Sequence, residues 1–209
     1  MTGRHNRSSS LPVLVITGTS GEGKSTLARR LAERMPELQL AVSATTRPQR
    51  LGEVDGRDYW FISEEEFDRR LAEGDFLESV RLPWGPGYRS GTLLSELERI
   101  RGEGRAPLLE IETKGALNVR DRVDGAVTIF VTAPSKEELE HRLRARATES
   151  EGEIEERLAV AESQLELESE FDYRIVNDDL ERAFAELEAI VRRELDRAGS
   201  MAAHDSSPH

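Results

Sequence analysis

Gly18-Thr19-Ser20-Gly21-Glu22-Gly23-Lys24-Ser25-Thr26 fits the pattern G-x-x-x-x-G-K-[ST] at every fixed position. The apolar run Val13-Leu14-Val15-Ile16-Thr17 precedes it. Leu27-Ala28-Arg29-Arg30-Leu31-Ala32-Glu33-Arg34 follows, with helical spacing. A glycine-rich turn by itself need bind nothing; set between a strand and a helix, it reads as a phosphate-binding loop. Its glycines let backbone N–H groups wrap a polyphosphate, and the helix N-terminus adds the positive end of its dipole. Lys24 has the reach for the terminal phosphates, and the Ser25 hydroxyl suits a magnesium ion. All nine residues of the loop are expected to hold a nucleoside triphosphate.

Working outward, apolar runs alternate with helical patterns, which indicates an α/β fold. Residues 13–17, Ala106–Ile111, Ala126–Thr132 and Tyr173–Asn177 read as strands. Helical patterns cover 24–34, 92–103, 114–122, 135–146, 154–169 and 179–196. Residues 39–91 break the alternation with short strand-like pieces and a helix opened by the capping box Ser63-x-x-Glu66. They are expected to form an inserted substrate-gripping subdomain. Residues 142–157 are dense in arginine and glutamate, with Gly152 as a hinge candidate and little to bury, so a lid is expected there. The resulting division is a core (11–38, 92–135 and 158–198), a subdomain (39–91) and a lid (136–157), flanked by disordered tails at 1–10 and 199–209.

Composition narrows the classes. The 209 residues suffice for one such domain. No run has the length of a membrane span, and the N-terminus lacks the apolar stretch of a signal peptide. Cysteine is absent, which excludes disulfides and thiolate metal sites and makes a reducing cytoplasm the simplest home. A net charge of −12 argues against nonspecific nucleic-acid binding. Positive charge must then be gathered locally, and all but three of the 29 basic residues are arginine, whose planar fork suits phosphate.

A second phosphate site is legible in Ser43-Ala44-Thr45-Thr46-Arg47-Pro48-Gln49-Arg50 and in the turn-rich Gly52-Glu53-Val54-Asp55-Gly56-Arg57-Asp58-Tyr59. Two arginines and a phenol make either a clamp for a monoester phosphate or an exposed basic loop. These residues also carry a family resemblance. Together with the loop at 18–26, Leu109-Glu110-Ile111, Gly115-Ala116 and Ile175-Val176-Asn177-Asp178-Asp179-Leu180, they make the chain similar to the guanylate kinases from about Val13 to Glu194. The resemblance implies a P-loop nucleoside-monophosphate kinase fold: a parallel-sheet core, an inserted GMP-binding subdomain and a mobile lid. It implies transfer of the γ-phosphate of ATP, with Mg2+, to GMP and dGMP.

By the same resemblance, Arg47, Arg50 and Tyr59 would hold the GMP phosphate, Ser43 would donate to guanine O6, and Glu78 would accept from N1–H and the exocyclic amine. Thr92 would also contact the base. Arg142, Arg146 and Arg157 would join Lys24 around the transferring phosphoryl group, and Asn177 would lie near the adenine. Nothing indicates whether the chain is a monomer or a homodimer.

Three departures from the family pattern bear on the acceptor. The loop Leu82-Pro83-Trp84-Gly85-Pro86-Gly87-Tyr88-Arg89-Ser90-Gly91-Thr92 is about three residues long for the family, with Ser90 where a phosphate-binding tyrosine is usual. Tyr88 substitutes if the loop bulges, and Arg89 offers a replacement contact; alternatively Trp84 and Arg89 reshape the pocket. The usual Asp of an Asp-x-Gln-Gly segment is Glu112, followed by Lys114 in place of glutamine. Glu112 remains able to accept from the guanine amine or from magnesium-bound water. The lid carries Arg146-Ala147-Thr148 where Arg-Gly-Thr is usual, which stiffens a hinge. Two alternatives therefore stand beside GMP kinase: a same-fold kinase for a different or modified purine monophosphate, and a non-catalytic module whose pocket holds a phosphopeptide. The intact Lys24 argues against the second.

Overall fold

The structure is a computed structural model and describes residues 11–19, 22–82, 86–145 and 151–205. The apolar runs assemble into a five-stranded sheet of β1 (Leu14–Gly18), β2 (Leu38–Leu40), β7 (Ala106–Glu110), β8 (Val127–Thr132) and β9 (Tyr173–Val176). Its order is β2-β7-β1-β8-β9, and every pairing is parallel. Parallel strands covered on both faces have no solvent side, which is why β1 and β8 are buried at every position.

Leu14 and Ile16 face α1 (Lys24–Arg34) and α7 (Leu180–Asp205), packing with Leu27, Leu31, Phe184 and Leu187. Val13, Val15 and Phe130 face the other way, onto Leu97 of α3 (Leu94–Gly102), Val119 of α4 (Thr113–Arg122) and Phe171. With β7 and β8 on either side of β1, the carboxyl end of β1 opens at the point where the sheet's connections diverge, the usual place for a ligand crevice.

A second, four-stranded sheet has the order β4-β3-β6-β5, built from β3 (Ala44–Thr45), β4 (Trp60–Phe61), β5 (Phe76–Arg81) and β6 (Arg89–Leu93). α2 (Glu64–Glu73) covers it, driving Phe67 against Ala44, Phe76 and Leu93, with the Phe67 and Phe76 rings stacked at 4.5 Å. Only half of the expected capping box forms. Ser63 Oγ accepts the Glu66 N–H at 3.1 Å, while the Glu66 carboxylate turns to Arg69 and Arg70.

Several boundaries differ from the sequence reading. The run 40–44 divides between two sheets, since Leu40 pairs with β7 and Ala44 with β4 and β6. Thr92 and Leu93, read as the start of a helix, belong to β6 because they pair with β5. Buried residues flank the charged segment: α5 (Lys136–Ala145) and α6 (Glu151–Leu165) enclose Leu139, Leu143 and Ala161 with Ala133. Gly152, the hinge candidate, is the second residue of α6. At the C-terminus α7 runs to Asp205, past the expected limit at 198. The Ser200 hydroxyl bonds the Asp196 carbonyl at 2.9 Å, and the following Met201-Ala202-Ala203 favour helix. No helix among the described residues is long and apolar enough to cross a membrane.

Candidate active site

The phosphate loop begins where β1 ends. Gly18 has φ 139°, and a Cβ there would lie 1.9 Å from the Val131 carbonyl oxygen of β8, so no side chain fits. Gly23, at φ 78°, turns the chain into α1 in a left-handed conformation. Lys24 Nζ folds over the loop and donates to the carbonyls of Gly18 (2.8 Å) and Thr19 (2.6 Å).

Ser25 Oγ donates to Glu110 Oε1 at 2.7 Å. Glu110 closes β7 beside Ile16, so a carboxylate at the end of an apolar strand meets the loop hydroxyl. The sequence reading gave the carboxylate beside the metal to Glu112 and passed over Glu110, although a lone acid ending the run Pro107-Leu108-Leu109 was the available signal. A hydroxyl and a carboxylate are the hard oxygen donors that magnesium prefers. Among the described residues no group of three or more acidic or histidine side chains is placed to hold a metal ion, so an ion here would draw its other ligands from phosphates and water.

Glu22 fills an open position of the motif, yet its side chain is fully buried. Its Oε2 accepts from Arg142 Nη1 at 3.2 Å, and the same nitrogen donates to the Asn177 carbonyl at 2.9 Å. Asn177 Nδ2 donates to the Glu22 carbonyl at 2.7 Å, closing a ring that ties the loop to α5 and to the end of β9. Burial raises the Glu22 carboxyl above its ordinary range against the pull of Arg142 and Lys24. Asn177 thus braces the loop.

Across a cleft of about 290 Å³ stands the second sheet. Arg47, 9 % exposed, is gripped by both oxygens of Glu53 (2.8 and 3.1 Å), with its guanidinium over the Tyr59 ring at 5.2 Å. The ion pair holds the Glu53 carboxyl below its usual range. Burial and nearby Glu110 push the Tyr59 phenol up. Arg50, exposed, lines the same wall, as does buried Ser43.

Deeper in, Glu78 is 2 % exposed. Its Oε1 accepts the N–H and the hydroxyl of Thr92, both at 2.9 Å, whereas its buried Oε2 has no partner among the described residues. Burial pushes its carboxyl up to about 7. Glu112, raised likewise by burial, lines the cleft and accepts from Gln164 at 3.2 Å.

Lys24, Ser25, Ser43, Arg47, Arg50, Tyr59, Glu78 and Glu112 therefore share one cleft. Other expected residues stand apart from its lining. Thr92, fully buried, donates to Glu78 and so sets its carboxylate. Tyr88 is not among the lining residues; its backbone carbonyl accepts the Leu82 N–H at 2.7 Å within the hairpin, while Ser90 lines the cleft. Arg89 provides no phosphate contact: it turns to α2, bonds Glu64 and Asp68 and lies 4.5 Å over the Phe67 ring. Lys114 is exposed. Arg157, half-buried on α6, is not among the lining residues. Ser20, Gly21, Trp84 and Arg146-Ala147-Thr148 lie outside the described residues.

The chain is similar to known proteins along most of its length. The family model described as guanylate kinase matches residues 10–194. The "Guanylate kinase" of Rubrobacter xylanophilus is 48% identical over 181 residues, covering 87% of this chain and 93% of that protein. That of Symbiobacterium thermophilum is 44% identical over 182 residues, covering 87% and 85%. Among solved structures, guanylate kinase from Anaplasma phagocytophilum superposes with a TM-score of 0.71 at 30% identity, covering 89% of this chain and 87% of the other.

Proposed function

The chain belongs to the guanylate kinase family, and we propose that its cleft performs that family's ATP-dependent phosphorylation of GMP by direct in-line transfer, with dGMP as a second acceptor. The observation that carries the reading is Glu78: a buried carboxylate with one oxygen pinned and the other unpartnered, in the cleft whose opposite wall is the phosphate loop. Guanine offers two adjacent N–H donors to such a group. Adenine presents an acceptor at N1 and would be repelled.

Phosphoryl transfer needs alignment, exclusion of water and neutralised charge more than covalent help. Arg47, fixed by Glu53 and Tyr59, and Arg50 would orient the acceptor phosphate; Ser43 would donate to the base oxygen. Lys24, released from the loop carbonyls, would meet the donor phosphates, with Arg142, Arg146 and Arg157 assigned to the transferring group. Ser25 and Glu110 would hold Mg2+, which supplies further neutralisation when bound. The absence of cysteine accords with a reducing compartment such as the cytoplasm.

A coupled ADP-release assay across GMP, dGMP, AMP, IMP, UMP and CMP tests this. Preference for GMP and dGMP is the expected result. Turnover confined to another base would reassign the acceptor, and ATP binding without turnover of any monophosphate would favour a binding module.

A further inference from the structure

We propose that Gln164 is a positioning residue for acceptor recognition: it holds the Glu112 carboxylate in line with the exocyclic amine of the purine, and so sets discrimination against purines lacking that amine. The inference rests on the reading of Glu78 and Glu112 as partners of the acceptor base.

Gln164 lies on α6 and is 7 % exposed. Its Nε2 donates to Glu112 Oε2 at 3.2 Å, and its Oε1 is buried with no partner among the described residues. The reverse orientation of the amide would set an acceptor oxygen against the carboxylate, so the nitrogen belongs on the Glu112 side. A buried carbonyl left unsatisfied lowers stability. An apolar residue of similar volume would avoid that loss, so stability does not account for an amide here.

Glu112 does need an orienting partner. It carries one more rotatable bond than the aspartate usual at this position, and only one oxygen has a hydrogen bond to the protein among those described. Charge restricts the choice of partner. Glu110 is close enough to raise the Glu112 carboxyl, and Glu112 in turn acts on Glu78, so Glu112 already has an acidic neighbour on either side. A cation at 164 would tie up Glu112, and a further acid would repel it. A neutral donor aims the carboxylate and leaves its charge for the ligand.

The helix is fixed for this task. Ala161 is fully buried against Leu139 and Leu143, and Leu165 packs in two apolar clusters, so the backbone on both sides of Gln164 is held. Arg157 lies seven residues earlier, two turns along on the same face. One rigid helix therefore bears both an arginine assigned to phosphoryl transfer and the residue that sets the base-reading carboxylate.

IMP differs from GMP only in lacking the exocyclic amine, so the ratio of kcat/KM for GMP to that for IMP reports on the partners of that amine, Glu78 and Glu112, and the Glu112→Gln background separates the two. Gln164→Met, close in shape but without a donor, is expected to lower this ratio about tenfold, the scale of one misdirected hydrogen bond to a charged group, with KM for ATP unchanged. Gln164→Glu is expected to lower it at least as far, and serves if the methionine variant folds poorly. In a Glu112→Gln background, Gln164→Met should leave the ratio where it stands. A ratio in both single variants equal to that of the unaltered enzyme overturns the role of Gln164. A ratio near one in the unaltered enzyme overturns the reading of Glu78 and Glu112 as partners of the amine, and this inference with it.

Discussion

A carboxylate that is 2 % exposed and bonded through one oxygen only is held at a loss, because burial disfavours its charged form. For Glu78 the native carboxyl sits at about 7 against an ordinary 4.5. The native state therefore binds the extra proton between those values, so stability falls as pH rises from 4.5 to 7 and levels off above. The displacement corresponds to about 3 kcal/mol. Glu78→Gln keeps an oxygen for both Thr92 donors and removes the charge. Denaturation midpoints should then show the variant more stable than its parent by up to about 3 kcal/mol at pH 8, with the advantage fading below pH 5. The same variant should lose about a hundredfold in kcat/KM for GMP, since its amide meets guanine's donors with a donor, while KM for ATP stays put. Midpoints that differ equally at both pH values would refute the burial account. In the sequence Glu78 was one of 41 acidic residues, and the family resemblance alone raised it above them. Its unpartnered oxygen depends on Thr92 across a hairpin, a pairing that local sequence does not display.

At the scale of elements, β5 and α4 shape the acceptor pocket together. The register of β5 against β6 shifts between Phe76 and Glu78, and Gly115 lets the first turn of α4 come in against the carboxylate. A Cβ on Gly115 would lie 2.5 Å from Glu78 Oε2. With Oε1 pinned by Thr92, the carboxylate would have to rotate. Gly115→Ala should therefore raise KM for GMP about tenfold or more, despite a helix-propensity gain of about 1 kcal/mol. Steady-state kinetics beside thermal melts check this, and a variant with unchanged KM would show that Glu78 moves freely. Elements resting on local pattern were legible: β1, β7 and β8 are predominantly apolar runs, and α1 and α4 keep helical spacing. β3 and β4, two residues each, exist only through partners distant in sequence. The reach of Arg142 to Glu22 spans 120 residues, and Arg89 turned to α2 because a sheet face, unlike a loop position, decides where its side chain goes.

At the scale of the whole molecule, a net charge of −12 offers anionic nucleotides no long-range attraction, so binding must come from local cations held in register across two sheets. The outgoing junction between those sheets is narrow. The Ala41 N–H bonds Leu108 of the core sheet at 2.8 Å, and the Ser43 carbonyl accepts from Trp60 of the second sheet at 2.9 Å. Between them the Val42 N–H bonds neither sheet; it donates to Glu96 Oε1 at 3.1 Å. Glu96 opens α3, immediately after the chain returns through β6, and Arg99 clamps both its oxygens. One buried carboxylate thus fastens the outgoing strand to the returning one. Glu96→Ala would orphan the Val42 N–H, and should reduce stability by about 1–3 kcal/mol. On the proposed reading the donor site lies in the core while the acceptor site draws on the second sheet, so the variant should lose kcat while its KM for ATP is preserved. Glu96→Gln, whose amide oxygen still accepts, should recover much of both losses. Hydrogen exchange at the Val42 amide, read beside the kinetics, decides the matter: faster exchange with lowered kcat is expected in Glu96→Ala, whereas native protection with full turnover would mean that the register between the sheets is set elsewhere.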